Sequence, residues 1–552
     1  MESISQEIIT EVSYHLLVRT ATKYPKNFLN KLVQRLRKEN NPGPKSVIAS
    51  IIENILDAAE ESVSLCQDTG LPTFHVYLNP GLMIKGDIEH ALNEATIRAT
   101  EEVPIRRNVV EPFTFQNPGN NVGWGSPFIH YHWDPCPSPM KIRAELKGFG
   151  GEIKSASDWI FTSTKNMEDA GLAYTLNTVL LSKGEGCIPG FLGIGVGGYM
   201  SEAAINAKNA VFRELTSVDE AHTGQNEIIL KRIEDRIFRC VNRLGLGPMG
   251  CGGKTTTLGV YLDRKATHTA VAPVSVSQQC WASRASEALI TDGRASYITP
   301  HVEAEDAPVI REAISHKYSA SGDAGKIYFL NTPVDPDVLQ KLRIWDVVYL
   351  SGIICTSRDG AHKRMVELVR AGKVNEIPEE IRKSGVIYHC GPIFKECEDG
   401  LNIRSAGPTT SSRFTIDAAL LAEQGILRIA IGKGTMGGKM IHALRGKGVY
   451  LKAVGGCAVV YKKMIKRTDV KWLDLGYPEA AWIFKVETFG PLVVGIDSTG
   501  NSLNNHVMNE VYQNARQVYQ EEGLNPEISY IQYPQTFAGL SLEETIDISK
   551  KR

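Results

Sequence analysis

Three cysteines stand where packing gives little reason for them: Cys66 in SLCQDTG, Cys187 in GEGCIPG and Cys280 at the end of HTAVAPVSVSQQC, where His268 lies twelve positions earlier. Thiolates in Gly/Pro-rich loops are a usual way to present sulfur to iron without burying an unpaired charge. No CxxC pair occurs in the chain, so zinc ribbons, thioredoxin-like centres and ferredoxin-type clusters lose support. Any cluster must draw its thiolates from distant points. On spacing alone, three ordinary loop cysteines remain the competing reading. The other seven, Cys136, Cys240, Cys251, Cys355, Cys390, Cys397 and Cys457, read as buried reduced thiols.

The elements that must position these residues change character along the chain. Apolar residues at helical spacing (Ile8, Val12, Leu16 and Leu17, then Val47, Ile48, Ile51, Ile52, Ile55 and Leu56) predict helices through the first sixty residues, broken at NNPGPKS. From Leu65 short strands such as Thr73–Leu78 alternate with Gly/Pro turns and with predicted helices at 87–100, 169–182 and 227–244. Residues 301–325, polar and poor in structural signals, predict a linker. Beyond it KIYFLNTPV, DVVYLSGIIC, GVIYHCGPI, LRIAIG and GVYLKAV read as strands, interleaved with helices at 362–371 and 412–424. The expectation is an α/β chain with an amino-terminal domain over 1–300 and a carboxy-terminal domain over 326–552.

Composition narrows the function classes. A chain of 552 residues is too long for one ordinary domain. Its hydrophobic fraction of 42% and charged fraction of 22% are those of a soluble globular protein. A formal net charge of -1 argues against a nucleic-acid partner. No stretch reaches the length of an apolar membrane span, and the first residues lack the compact apolar core of a signal peptide. Ten cysteines without such a signal are not a secreted disulfide framework, so the expected compartment is the cytoplasm.

Two glycine-rich segments imitate nucleotide sites. FLGIGVGGYM, at 191–200, contains the letters GxGxxG, but a Gly/Pro turn precedes it where a strand should be, and Asp219 closes no evident strand. LGLGPMGCGGKTTT, at 244–257, ends like a P-loop, yet Pro248 stands where that pattern wants glycine, with a predicted helix before and a strand after. Nucleotide binding is therefore disfavoured. So much glycine reads instead as letting backbone amides approach a cluster or an anion.

CQDTG at 66–70, PIRRN at 104–108, KGFG at 147–150, LGLGPMGCGGKTT at 244–256 and the His268…Cys280 stretch resemble the amino-terminal half of class I fumarases and L(+)-tartrate dehydratases. LSGIICTSRDGAHKR, GPTTSSR and IGKG resemble the carboxy-terminal half of the same family. The motifs run in order from about residue 65 to 435, and the chain looks like a fused form of halves that some members carry as separate subunits.

The resemblance implies a [4Fe–4S] cluster held by Cys66, Cys187 and Cys280, with one iron free to act as a Lewis acid on a substrate hydroxyl. Cys251 departs from the apolar or small residue expected there and reads as a non-ligand. For a small dicarboxylate the matching positions are Arg106, Arg358, Arg413 and Lys433, since arginine forks bind carboxylates bidentately. Gln67 and the amides around Gly148 and Gly150 are further candidate donors. Removing the carbon-bound proton needs a base while the carboxylate is clamped, and Asp68, His268 and Thr409 are the candidates. Thr409 and Asp68 are assigned to that proton together, and His268 to orienting the substrate or to the proton of the leaving water. Thiolates before the linker and arginines after it place the site in a cleft between domains. The family also implies a swivelling β/β/α carboxy-terminal domain and a homodimer. The implied reaction interconverts fumarate and (S)-malate. L(+)-tartrate dehydration to oxaloacetate is the rival, and a non-catalytic iron–sulfur sensor is the reading from another class.

Overall fold

The computed structural model describes residues 3–103, 105–133, 139–161, 166–213, 215, 225–315, 325–397, 400–532 and 534–551; Cys136, Asp219 and the stretch 316–324 of the expected linker lie outside them. Three helices open the chain, Gln6–Thr22, Lys26–Leu36 and Pro42–Glu61, as the apolar spacing predicts. The break at NNPGPKS is short. Pro42 sits in the first turn of the third helix, where its missing N–H is one of the groups left unpaired anyway.

The amino-terminal half carries two sheets. The first runs, edge to edge, Arg294–Tyr297, Arg284–Thr291, Met140–Leu146, Thr73–Leu78 and Phe128–Trp133, with only the last pair parallel. Helices Gln6–Thr22 and Ile88–Glu102 bury their apolar residues with those of this sheet. The second helix starts at Asp87, whose carboxylate accepts from the His90 N–H at 3.2 Å. The second sheet runs Ala156–Phe161, Val271–Gln279, Gly190–Val196 and Thr257–Arg264.

This second sheet corrects one expectation. FLGIGVGGYM is itself mostly strand, Gly190–Val196, and the helix Met200–Ala210 follows it. Its glycines are there for packing. A Cβ at Gly193 would fall 1.7 Å from the Ala207 carbonyl oxygen, and one at Gly195 would fall 2.0 Å from that of Ala203, so only glycine lets the helix lie on the strand. The P-loop-like tail likewise serves the chain itself: the Lys254 N–H donates to both carboxylate oxygens of Glu39, at 2.9 and 3.1 Å.

The carboxy-terminal half is built on seven strands in the order Ile327–Asn331, Val347–Thr356, Val386–Tyr388, Ile429–Gly432, Val449–Lys452, Ala481–Ile496 and Ile465–Lys471. The sixteen-residue strand Ala481–Ile496 also pairs with Val347–Thr356, so the sheet closes on itself. Helices Asp359–Arg370 and Thr415–Glu423 occupy the two stretches predicted helical.

The two halves share apolar packing. One core cluster runs from Tyr24 through Trp281 and Trp482 to Ile546. The described start of the expected linker is folded: helix Ala307–Ser315 carries Arg311, whose guanidinium donates to Glu53, Asp57 and Glu60 at 2.7–2.9 Å. The last helices, Leu503–Glu521 and Leu542–Lys551, pack on the amino-terminal half. Tyr519 donates to Asn177 Oδ1 at 3.1 Å, and the fully buried Asp158 carboxylate accepts the Gln535 and Thr536 N–H groups and the Thr536 hydroxyl at 3.0–3.1 Å. Charge-assisted bonds from a buried carboxylate are among the stronger fastenings a chain can make.

Candidate active site

Each cysteine is delivered by a different local device. Cys66 follows the helix Pro42–Glu61 in a loop held by Asn54, which is fully buried. The Asn54 amide donates to the Leu65 carbonyl at 2.8 Å and accepts the Val459 and Val460 N–H groups at 3.0 and 3.3 Å. One side chain thus fastens the Cys66 loop to the carboxy-terminal half. Cys187 sits in the turn between helix Met167–Ser182 and strand Gly190–Val196 with φ +56°, a left-handed conformation that a non-glycine residue adopts rarely and mostly at functional sites. Cys280 follows directly on strand Val271–Gln279.

All three thiols are buried, and burial pushes Cys66 up to about 12 and Cys280 up to about 11. They lie near enough to sense one another: Cys280 feels the charge of Cys187, and Cys66 that of Cys280. Space around them is kept by glycine. A Cβ at Gly455 would lie 2.8 Å from Cys187 Sγ, and one at Gly150 would lie 3.7 Å from both Cys187 Sγ and Lys433 Nζ. Among the described residues no group of three His, Cys, Asp or Glu side chains is arranged to hold a single metal ion.

The cations come from the other half. Lys433 follows strand Ile429–Gly432, and its Nζ stands 3.5 Å from Cys187 Sγ. The nearby Cys187 sulfur is the main reason its ammonium is pushed up to about 12. Thr409 is tied to the same stretch, its N–H donating to the His389 carbonyl at 2.8 Å and its carbonyl accepting the Lys433 N–H at 3.1 Å. Arg358 precedes helix Asp359–Arg370; its Nε is 3.3 Å from Glu479 Oε1 but makes no directed hydrogen bond. The Arg413 guanidinium pairs with Asp359 at 2.9 Å. Burial lowers the Arg413 pKa; Asp359 and Glu479 oppose that shift, and the positive charges of Arg358 and Arg106 add to it. Arg106 is exposed on the wall of a cavity of about 560 Å³ that Asp68, Asn108, Trp124 and Phe149 also line. Its backbone is set by Thr69 and Asn121, whose side chains bond the Arg106 N–H and carbonyl at 3.2 and 3.1 Å.

Asp68 faces that cavity with its Oδ2 accepting the Phe149 N–H at 3.0 Å. Gly148 makes room for it, since a Cβ there would lie 3.1 Å from the same oxygen. Gln67 bridges the two halves: both ends of its amide bond the backbone of Gly407, at 2.9 and 3.1 Å. His268 is not brought to the others. It is exposed, in the connection between strands Thr257–Arg264 and Val271–Gln279, where its Nδ1 accepts the Ala270 N–H at 3.1 Å. A nine-residue strand, about 30 Å of extended chain, separates it from Cys280. Sequence reasoning missed Asn54, whose only signal is a polar side chain in an isoleucine-rich helix.

A family model described as fumarate hydratase matches residues 10–289, and one described as the fumarase carboxy-terminus matches residues 300–507. A Geobacillus stearothermophilus protein bearing the name fumarate hydratase class I is 33% identical over 515 residues, which is 91% of this chain and 96% of that protein. The chain belongs to the class I fumarate hydratase family. It is therefore a hydro-lyase. Its two halves also match separate proteins of Methanocaldococcus jannaschii. One, named as an L(+)-tartrate dehydratase alpha subunit, is 35% identical over 286 residues, 50% of this chain and 95% of that protein. The other, named as the beta subunit, is 40% identical over 190 residues, 34% of this chain and 95% of that protein. No helix among the described residues is long and apolar enough to cross a membrane.

Proposed function

We propose that this hydro-lyase interconverts fumarate and (S)-malate with the help of a [4Fe–4S] cluster held by Cys66, Cys187 and Cys280. The observation that carries the reading is the Cys187 thiol, 3.5 Å from the Lys433 ammonium, in a recess whose glycines, Gly150 and Gly455, come from both halves. Buried thiols spread around a glycine-lined recess, with a cation beside them, suit an anionic cluster better than a single ion. Bound there, the cluster would supply an iron with an open position, a Lewis acid toward the substrate hydroxyl.

The chain's own residues do the rest. Arg106, Arg358 and Arg413 clamp the two carboxylates, and Lys433 adds a fixed charge beside Cys187. The clamp stabilises the negative charge that develops when the proton leaves the neighbouring carbon. Thr409, pinned through its backbone to His389 and Lys433, and Asp68, pinned by Phe149, are assigned to that proton. Thr409→Ala is expected to lower kcat by about 10²–10⁴ while KM changes little. Near-normal turnover in steady-state assays would remove Thr409 from the mechanism.

The exposed edge strand Phe128–Trp133 and its surroundings support a homodimer. Phe113, Phe115, Trp124, Phe128, Trp133 and Phe149 are all exposed, and Trp124, Phe128 and Phe149 share one cavity wall. A part for His268 in the site then requires a second copy of the chain. Cys66, Cys187, Cys240, Cys251, Cys280, Cys355, Cys390 and Cys457 are free and buried, which fits the cytoplasm.

The names of the two Methanocaldococcus relatives favour a second reading, dehydration of L(+)-tartrate to oxaloacetate. One preparation tests all of this. Anaerobically reconstituted protein should contain iron and sulfide, turn over fumarate and malate faster than tartrate, and scatter light as twice the chain's mass. Full turnover without iron would end the cluster reading, a tartrate preference would reverse the substrate, and a monomer would remove the dimer.

A further inference from the structure

Arg284 is fully buried, at the start of strand Arg284–Thr291, four positions beyond Cys280. Its Nε donates to the Thr20 carbonyl at 2.8 Å and its Nη1 to the Ala282 carbonyl at 2.6 Å. Its Nη2 is buried without a hydrogen-bond partner among the described residues. A guanidinium does not give up its proton inside a protein, so this charge is permanent and must be balanced by negative charge nearby. The groups whose charge bears on it are Cys66, Cys280, Asp68 and Tyr24, in that order. Only Asp68 among them is ordinarily anionic, and the two do not form an ion pair at contact distance.

Resting on the cluster reading above, we infer that Arg284 is a positioning residue: its fixed buried charge, aligned by the Thr20 and Ala282 carbonyls, sets how firmly the cluster is held and at what potential. The placement complements Lys433. The lysine bears on Cys187, Cys66 and Asp68, and the arginine on Cys66, Cys280 and Asp68, so two cations from different halves of the chain act on the triad. Thiolates bound to iron carry the negative charge that neutral thiols lack, and would settle the arginine. Because two carbonyls hold the guanidinium, the charge cannot swing away when an electron is added or removed.

The test uses holoenzyme reconstituted anaerobically as wild type, Arg284→Gln and Arg284→Lys. Iron loss to a chelator and the cluster midpoint potential, followed by electron paramagnetic resonance, are the readouts. Arg284→Gln is expected to lose iron on the order of tenfold faster and to shift the potential negative, since a reduced cluster loses its nearby cation. Arg284→Lys is expected to keep the potential near wild type while losing iron faster, because it retains charge but not the fork to both carbonyls. Arg284→Gln with wild-type potential and iron retention overturns the inference, as does Arg284→Lys with a potential shifted as far as that of the glutamine variant. If the glutamine variant does not fold, the lysine variant decides alone, and wild-type behaviour in both readouts overturns the inference. Wild-type protein that takes up no iron ends the cluster reading itself, an outcome distinct from these.

Discussion

Gly455→Ala should lower hydro-lyase turnover by at least about a hundredfold and leave the protein short of iron, with its fold intact. The added methyl would lie 2.8 Å from Cys187 Sγ, 3.2 Å from Lys433 Cδ and 3.6 Å from Met249 Sδ. Its backbone is outside the left-handed region, so the cost is the close approach alone. The thiol has little freedom to move aside. The Cys187 carbonyl accepts the Trp281 N–H at 3.3 Å, and the neighbouring Ile188 carbonyl accepts that of Met249 at 2.9 Å. Gly455 itself is held by Trp281, whose indole N–H donates to its carbonyl at 2.8 Å. Relief must therefore come from displacing Sγ or the Lys433 side chain, the two groups on which the proposed site depends. Gly171→Ala is the control. It lies in helix Met167–Ser182 with nothing within 4 Å of the new Cβ, and should retain iron and turnover while gaining about 0.5–1 kcal/mol of stability. Iron content, turnover and Tm on the three proteins decide the matter. Wild-type iron and rate in Gly455→Ala would show that the recess around Cys187 is not where the chemistry happens.

Local pattern made the elements legible, and long-range contact hid how they meet. Strand Thr73–Leu78 could be read with its bounds because its apolar run ends at a proline turn, and the helix after Asp87 because aspartate caps it. The same reasoning failed at FLGIGVGGYM. Its glycines read as room for a cluster or an anion, whereas the room is taken by the helix Met200–Ala210 resting on the strand. The three cysteines stand out by their motifs, but the residues that fasten their surroundings do not. Arg284 and Asn54 carry no motif, and each has a partner that lies hundreds of positions away, Thr20 for the arginine and Val459 for the asparagine. Gln67 shows a second part that its motif does not announce: its amide also bonds the backbone of Gly407 in the other half. The return of the last two helices to the first half rests on Asp158 and Asn177, and nothing in the order of elements announces it.

Arg358→Met is expected to reduce kcat/KM by about 10²–10³, equivalent to about 3–4 kcal/mol, without lowering Tm. The guanidinium stands near Glu479, but its Nε N–H is not directed at the carboxylate and stays without a partner, an arrangement that leaves donors for a ligand. Glu479 does not depend on the arginine for its place, since its Oε2 also accepts the Gly360 N–H at 2.8 Å. The charges of Arg358 and Arg106 disfavour that of Arg413, while Asp359 and Glu479 favour it. Removing Arg358 therefore gives up one ion pair with Glu479 but eases the charge on Arg413, and the loss should fall on the complex. A substrate dianion reverses the balance, because each carboxylate can take two donors from one fork. Arg358→Lys restores a charge but not the fork, and should recover less than about a tenth of the lost kcat/KM. Calorimetric Tm beside steady-state kinetics separates the alternatives. A variant that unfolds many degrees earlier would make Arg358 a structural residue, and one with wild-type kcat/KM would remove it from the clamp.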